Sequence, residues 1–400
     1  MLPYILLITI PAVWLFVEKY RATGSIRGAL SVDTPSTNRS LVVFFVLFLA
    51  LLCLRDIYVG CDLVTYRRIL YCVTNEDMHA YHEMLSKEIE MSLASNAVID
   101  KQRMELYQFA LDNAWQYMTL DYLEPLYAGL NVLLAKMSMG IRSLIVICAV
   151  LSVIPIALCY AKETKLPLLT IVLFAAVAPF AFYFSGLRQA IAMGMMIPMY
   201  YALKDKKFIQ FFLFFAIAVG FHYSAVVALA LIPAMYLKIT RKWMLLLGPA
   251  LVAVFALNEP ILRLILSMAG AYGQTYSVVS NNGSYSMLAL FTAFVIYSYV
   301  LPDERNMKIE DFALRNIMLI CLGIQLFAPL HTIFMRLGYY YHIFIPVIIP
   351  RMAKLAYPKM KWLANLSAYV MVVFFCFYFI HNGYTSSDVL QVYPYIPFWG

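Results

Sequence analysis

The sequence predicts an all-α protein, a polytopic integral membrane bundle of about twelve helical spans with one re-entrant or interfacial segment and one large outer loop. Hydrophobic residues make up 63% of the 400-residue chain and charged residues only 13%, and the mean hydropathy is +0.77. Apolar runs of roughly 15 to 20 residues recur between short polar breaks, and roughly 20 residues cross the hydrocarbon core. A soluble multidomain protein is excluded, because its surface would need more charge.

Basic residues orient these spans. The first apolar segment, 2–17, lacks a basic start and a small-residue cleavage site, so it is predicted to be a retained span. The basic loop that follows it belongs in the cytoplasm by the positive-inside rule, which places the N-terminus outside. The other predicted full spans are 40–54, 143–160, 166–184, 188–203, 207–220, 223–237, 243–257, 285–301, 314–331, 337–350 and 362–381.

Two further features complete the predicted topology. Segment 123–138 is predicted to be re-entrant or interfacial, because a full crossing there would turn the next span the wrong way. The formal charge of +8 comes largely from short basic loops between spans, so it implies no nucleic-acid partner.

The segment 55–122 is predicted to be the large extracytoplasmic loop of a single membrane domain, 1–400. Beyond Arg55 it carries eleven acidic and five basic residues, a net charge of −6. Its stretch 101–118 has apolar residues at helical spacing, which predicts an amphipathic helix against the membrane or the bundle. Cys61 and Cys72 lie in this segment, and a disulfide between them is an open alternative.

Strongly polar residues collect where predicted spans meet the outer face. Ionisable groups at membrane depth are costly and tend to persist where they bind, conduct or catalyse, so this grouping predicts a site. Its predicted charged and imidazole members are Arg55, Asp62, Glu124, Arg188, His222, His331 and Arg336.

Arg188 gives the most specific indication of what binds there. It is predicted in the first turn of a helix, where a cation opposes the positive end of the helix dipole unless an anion joins it. A guanidinium beside exposed helix-start N–H groups is suited to phosphate. Several of the other residues have a structural alternative: Arg55 could cap a helix end, each histidine could be a hydrogen-bonding group, and Glu124 before Pro125 could favour a first turn.

The succession of motifs along the chain resembles a known family. The stretches are RDIYVGCDLVTY from Arg55, EPLY from Glu124, SGLRQAIAMG from Ser185, GFHYSA from Gly220 and RLGYYY from Arg336. Their order and spacing over about residues 50–345 resemble the EpsG-like branch of the Wzy-type polymerases, which make O-antigen, capsule or exopolysaccharide.

This resemblance implies a glycosyltransferase that polymerises undecaprenyl-diphosphate-linked oligosaccharide repeat units on the outer face of the bacterial cytoplasmic membrane. Arg188 and Arg336 would hold the pyrophosphate, with Arg55 as a third contact. The acceptor hydroxyl would lose its proton to Asp62, His222, His331 or Glu124, and the sequence does not choose among them. The predicted sugar-contacting residues are Tyr66, Gln189, Tyr223, Tyr339 and Tyr340.

The expected chemistry is a direct displacement with inversion at the anomeric carbon, without a cofactor or a metal. The expected partners are the lipid-linked donor and acceptor, membrane lipid and a chain-length regulator protein. The alternatives are a flippase or transporter of the lipid-linked glycan, and an outer-face glycan ligase or acyltransferase. A transporter would place polar groups near the bilayer midplane, often within repeated helices, whereas the ionisable residues here gather at span ends.

Overall fold

The computed structural model describes residues 1–74, 78–94, 108, 112, 123–268, 284–385, 390, 392–393 and 395–399. In this part of the chain the regular structure is helical, apart from two isolated β-bridges, Arg55 with Pro397 and Pro302 with Ala356. The predicted all-α class is therefore confirmed. The predicted amphipathic helix, 101–118, lies outside the described residues except for Gln108 and Asp112.

The α-helices of the described residues are α1 (Leu2–Thr23), α2 (Ile26–Leu30), α3 (Arg39–Leu54), α4 (Leu63–Thr74), α5 (Met78–Ala94), α6 (Pro125–Lys136), α7 (Ile141–Glu163), α8 (Pro167–Ala176), α9 (Phe182–Ser185), α10 (Leu187–Lys204), α11 (Phe208–Phe221), α12 (Leu231–Tyr236), α13 (Met244–Ala256), α14 (Asn258–Met268), α15 (Ser284–Val300), α16 (Ile309–Gln325), α17 (Thr332–His342), α18 (Ile345–Lys354) and α19 (Lys361–Thr385). Short 3₁₀ helices are Tyr223–Ala230, Arg241–Trp243, Glu304–Asn306 and Pro358–Met360.

Several predicted spans are broken helices. By length and composition, three described helices can cross a membrane: α1, α7 and the continuous stretch Pro358–Thr385. The number rises to five if two bent pairs each count as one span. The pairs are Tyr223–Tyr236 with Arg241–Ala256, bent by 119°, and α17 with α18, bent by 53°. The chain thus has the apolar helices of a membrane protein, while the count of about twelve spans stays a prediction.

Proline explains two of the breaks. Predicted span 166–184 is divided into α8 and α9, and Pro179 stands in the turn between them. Predicted span 337–350 bends at the start of α18, whose second residue is Pro346. Proline lacks the N–H that continues a helix and disfavours helical geometry in the residue before it.

Helix α10 is the central element that positions the site. Most of its residues are buried. Gly194 lets it pack closely on α7, because a Cβ added there would lie 3.0 Å from the carbonyl oxygen of Leu151. Small residues allow such close approach between membrane helices. This close packing holds α10 against α7. Each end of α10 contributes to a cluster of charged residues.

An ionic network surrounds the C-terminal end of α10. Arg351 of α18 pairs with Glu163 at 2.7 Å and also pairs with Asp311. Lys204 lies 3.1 Å from Glu310 and 3.8 Å from Glu163. This network, made of Glu163, Lys204, Glu310, Asp311 and Arg351, joins α7, α10, α16 and α18 at the end predicted to be cytoplasmic.

No disulfide joins Cys61 and Cys72, and none of the seven cysteines is in a disulfide. The Cys61 sulfur instead lies 3.1 Å from the Ser185 hydroxyl. That contact links the start of the large loop to the turn before α10.

Replacing Arg351 by alanine is expected to lower the free energy of unfolding by about 3–5 kcal/mol, because it leaves nearly buried Asp311 without its cation and Glu163 with only the Lys204 cation, at 3.8 Å. The side chains of Glu163 and Asp311 are only 8% and 3% exposed. Thermal or denaturant unfolding of purified protein in detergent measures the change. The control is Lys87→Ala, which removes a pair with Glu83 whose side chains are 67% and 68% exposed. Equal effects of the two variants would contradict a stabilising role for the network.

Candidate functional site

One carboxylate joins three of the predicted site segments. Glu124 Oε2 lies 2.5 Å from a guanidinium nitrogen of Arg188, and its Oε1 lies 2.7 Å from Nδ1 of His222. The Glu124 side chain is only 4% exposed, whereas those of Arg188 and His222 are each 26% exposed. We call Glu124, Arg188 and His222 the carboxylate cluster.

Local backbone geometry explains why the Glu124 side chain points toward Arg188 and His222. It is the N-cap of α6, with an extended backbone at φ −62° and ψ 139°. Pro125 follows it, and a residue before proline is biased toward extended geometry. His222 is likewise extended and marks the end of α11. Both side chains therefore leave the ends of their helices.

The position of Arg188 in the first turn of α10 required an anion, and Glu124 supplies it. The helix begins after Gly186 and has no side-chain cap. The rings of Tyr66 and Tyr127 flank the guanidinium, with centroids 5.9 and 5.5 Å from its central carbon. The anion paired with Arg188 in this structure is thus a carboxylate of the protein, and the charge of Arg188 is offset.

The same pairing fixes the tautomer of His222. Burial would raise the pKa of Glu124, but the hydrogen bond from His222 and the charge of Arg188 outweigh it and lower the pKa to about 2. An ionised carboxylate accepts hydrogen bonds only, so Nδ1 of His222 must donate to it. Nε2 is then the nitrogen that is left to accept a proton from another group.

A second group of residues assembles beside Phe184. The Ser185 hydroxyl accepts a hydrogen bond from the backbone N–H of Asp62 at 3.2 Å. Gly60 makes this approach possible: its φ is +114°, and an added Cβ would lie 2.0 Å from the carbonyl oxygen of Phe184. A side chain at position 60 would therefore separate Asp62 from the start of α10.

Arg336 of α17 is a second cation near the start of α10. Its guanidinium carbon lies 6.0 Å from the centroid of Phe182, and its side chain is exposed. Among the described residues it has no acidic partner within salt-bridge distance, in contrast to Arg188. Gln189 donates a hydrogen bond of 2.6 Å to the Arg336 carbonyl oxygen, which ties α17 to the first turn of α10.

Two predicted site residues lie apart from the carboxylate cluster. Arg55 is 0% exposed, and its guanidinium carbon lies 5.2 Å from the centroid of Phe184. His331 caps α17, where its Nδ1 accepts a hydrogen bond of 3.1 Å from the Ile333 N–H. Neither residue shares the contacts of Glu124.

The predicted sugar-contacting tyrosines differ in accessibility. Tyr223 is 57% exposed, whereas Tyr66 and Tyr340 are 5% and 0% exposed. The Tyr340 hydroxyl lies 2.9 Å from that of Ser224. The Tyr339 ring packs 5.1 Å from that of Phe182. In this structure Tyr223 therefore has the accessible ring, whereas Tyr66 packs beside the guanidinium of Arg188.

Sequence reasoning missed the roles of Ser185 and Gly60. Gly60 lies in the RDIYVGCDLVTY stretch and Ser185 begins the SGLRQAIAMG stretch. A single serine or glycine in a sequence does not indicate a contact with a residue that is distant in the chain. Within the described ranges, no group of three or more His, Cys, Asp or Glu side chains is placed to hold a metal ion.

The sequence was compared with models of known protein families. A sequence model of the EpsG family matches residues 38–396, which include every residue of the carboxylate cluster. The chain belongs to the EpsG family. Neither a curated protein nor a solved structure matches it. The predicted resemblance is confirmed, and EpsG-family membership supports a polysaccharide polymerase-like membrane protein.

The carboxylate cluster makes the stability of this EpsG-family protein depend on pH. Because the pKa of Glu124 is lowered from an ordinary 4.5 to about 2, its contribution is fully present above pH 4.5 and is lost as pH falls toward 2. The contribution is on the order of 3 kcal/mol. In thermal unfolding between pH 7 and pH 3, the stability difference between wild type and Glu124→Gln should shrink as pH falls.

A matched control for that experiment is Glu259→Gln. Glu259 pairs with Arg263 on the surface of α14, where its side chain is 48% exposed, so its removal should have a small effect throughout. A stability difference between wild type and Glu124→Gln that stays constant from pH 7 to pH 3 would contradict the ionised carboxylate.

Proposed function

We propose that this protein polymerises a polysaccharide by transferring a glycan from undecaprenyl diphosphate to a hydroxyl group of a second lipid-linked repeat unit. The single observation that carries the proposal is the Glu124–His222 pair, located at the same bundle end as Arg336, which has no acidic salt-bridge partner among the described residues. A proton acceptor and a cation are the two groups that a displacement of diphosphate by a hydroxyl requires.

His222 is the proposed general base. Its Nε2 takes the proton of the acceptor hydroxyl while the oxygen forms a bond to the anomeric carbon, and the bond from that carbon to the diphosphate oxygen breaks. Attack from the opposite side inverts the anomeric configuration. Glu124 holds the imidazole by Nδ1 at 2.7 Å and stabilises the imidazolium that forms.

Arg336 is the proposed main contact for the departing diphosphate. The charge of Arg188 is already offset by Glu124, whereas Arg336 has no such partner among the described residues. A guanidinium can take two phosphate oxygens at once, which also orients the leaving group. Arg188 then acts chiefly by holding Glu124. Because the Arg188 side chain is 26% exposed, it can also contact the diphosphate.

We also propose that this site faces the outside of a bacterial cytoplasmic membrane that the chain crosses about twelve times. Arg188 and Lys204 lie at opposite ends of α10, whose 18 residues extend over about 27 Å. The Lys204 end has the ionic network and the nearby basic breaks, which favours the cytoplasm. The proposed partners are the lipid-linked donor and acceptor and a chain-length regulator protein.

His222→Ala is expected to lower the rate of polymer formation by about 10²–10⁴-fold, because the acceptor hydroxyl loses its base. The measurement is the ladder of products that purified protein makes from lipid-linked repeat units in vesicles. His381→Ala is the control, since His381 is an exposed histidine near the end of α19. Ladders of wild-type rate with His222→Ala would exclude this base. Movement of the substrate across the vesicle without bond formation would favour a flippase.

Arg336→Ala is expected to lower the same rate by at least about 10²-fold, a loss typical of removing one charge-stabilising group. Arg336→Lys should recover part of the rate, because it keeps the charge but loses the two-oxygen contact. Arg263→Ala is the control, since that side chain is 66% exposed and pairs with Glu259 on its own helix. If Arg336→Ala and Arg263→Ala have equal rates, Arg336 does not hold the diphosphate.

A further inference from the structure

A large cavity lies away from the carboxylate cluster, at the opposite end of α10. It has a volume of about 750 Å³ and is bounded by α1, α19, the start of α8 and the segment after α2. Thr164 lines it and directly follows Glu163, which belongs to the ionic network. The cavity is therefore at the end of the bundle where Lys204 lies.

The cavity has apolar walls where it opens to the outside of the bundle between α1 and α19. Val13 and Phe16 of α1 and Val372 and Val373 of α19 line it. Val13 is 61% and Val373 is 71% exposed. In a membrane protein, exposed apolar side chains of this kind contact acyl chains. The cavity thus opens sideways to the bilayer as well as toward the aqueous phase.

The rim of the cavity is positively charged. Lys19, Lys165 and Lys354 line it together with one acid, Asp33, which leaves two positive charges. Lys19 donates to the Ser31 carbonyl at 2.7 Å, and Lys354 lies 3.4 Å from Asp33. Within the described part of the chain Lys165 has no salt-bridge partner, and it is exposed. Lys165 is accordingly the cation that remains available to a ligand.

Backbone donors stand next to Lys165. Helix α8 begins at Pro167, and its N-cap, Leu166, provides no side-chain hydrogen bond. The N–H groups of Leu168 and Leu169 lie in the first turn, where a helix has no internal acceptor for them. Both residues line the cavity. Unsatisfied helix-start N–H groups beside a lysine favour an anionic oxygen ligand such as phosphate.

We propose that this cavity binds an anionic phospholipid, with its phosphate at Lys165 and the start of α8 and an acyl chain between α1 and α19. The positive rim accounts for the anionic headgroup, and the apolar sideways opening accounts for the chain. A free phosphate would use the rim alone and leave the apolar walls empty. The ligand is a membrane lipid of the leaflet at the Lys204 end, which is distinct from the proposed glycan substrate.

Native mass spectrometry of the full chain in detergent tests this site with phosphatidylglycerol and phosphatidylcholine as probes. Wild type is expected to retain phosphatidylglycerol at least about five-fold more tightly than phosphatidylcholine. Lys165→Glu should abolish the preference, and Val372→Trp should reduce binding of both lipids by filling the space for the chain. The controls are Lys242→Glu and Val252→Trp, since Lys242 lies in the Arg241–Trp243 turn and Val252 is 69% exposed on α13.

Four results would overturn the proposal. The first is equal binding of both lipids by wild type, and the second is unchanged phosphatidylglycerol binding in Lys165→Glu and Val372→Trp. The third is a dimer that Val372→Trp dissociates, which would assign the cavity to a second copy of the chain. Displacement of the lipid by millimolar inorganic phosphate alone would also count against it, because the acyl chain would then contribute nothing. Because Lys165 is exposed and Val372 partly exposed, both variants should fold, which size-exclusion chromatography checks.

Discussion

The arrangement of the bundle end at the start of α10 depends on one carboxylate shared between a guanidinium and an imidazole. Glu124, Arg188 and His222 come from the ends of three different helices, so their contacts fix those ends relative to one another. Removing the carboxylate would leave a cation against the positive end of α10 and an imidazole without its orienting partner. Structure and proposed chemistry therefore depend on the same group.

Helix α10 separates two kinds of charge arrangement. The carboxylate cluster lies at its first turn, where Nε2 of His222 and the side chain of Arg336 are the groups proposed to contact substrate. Its last turn has the ionic network, in which Arg351 and Lys204 are paired with three acids. Ionisable side chains at the first end fit reaction chemistry, and those at the second end fit a structural role.

The all-α class followed from composition, because 63% hydrophobic residues leave few other folds. Span ends and charge predicted that Glu124, Arg188 and His222 share one end of the bundle, and their side chains are in contact. The dipole argument predicted that Arg188 needs an anion, but a phosphate was expected and the anion is Glu124, which lies 64 positions earlier in the chain. Pairings over such separations depend on tertiary packing, and so does the buried position of Arg55.

The most direct measurement is a cryo-electron microscopy structure of the protein in lipid nanodiscs with undecaprenyl diphosphate bound. We expect the diphosphate to contact Arg336 and Glu124 still to bridge Arg188 and His222. A diphosphate bound at the Lys204 end of α10, or a Glu124 that contacts neither partner, would contradict this expectation.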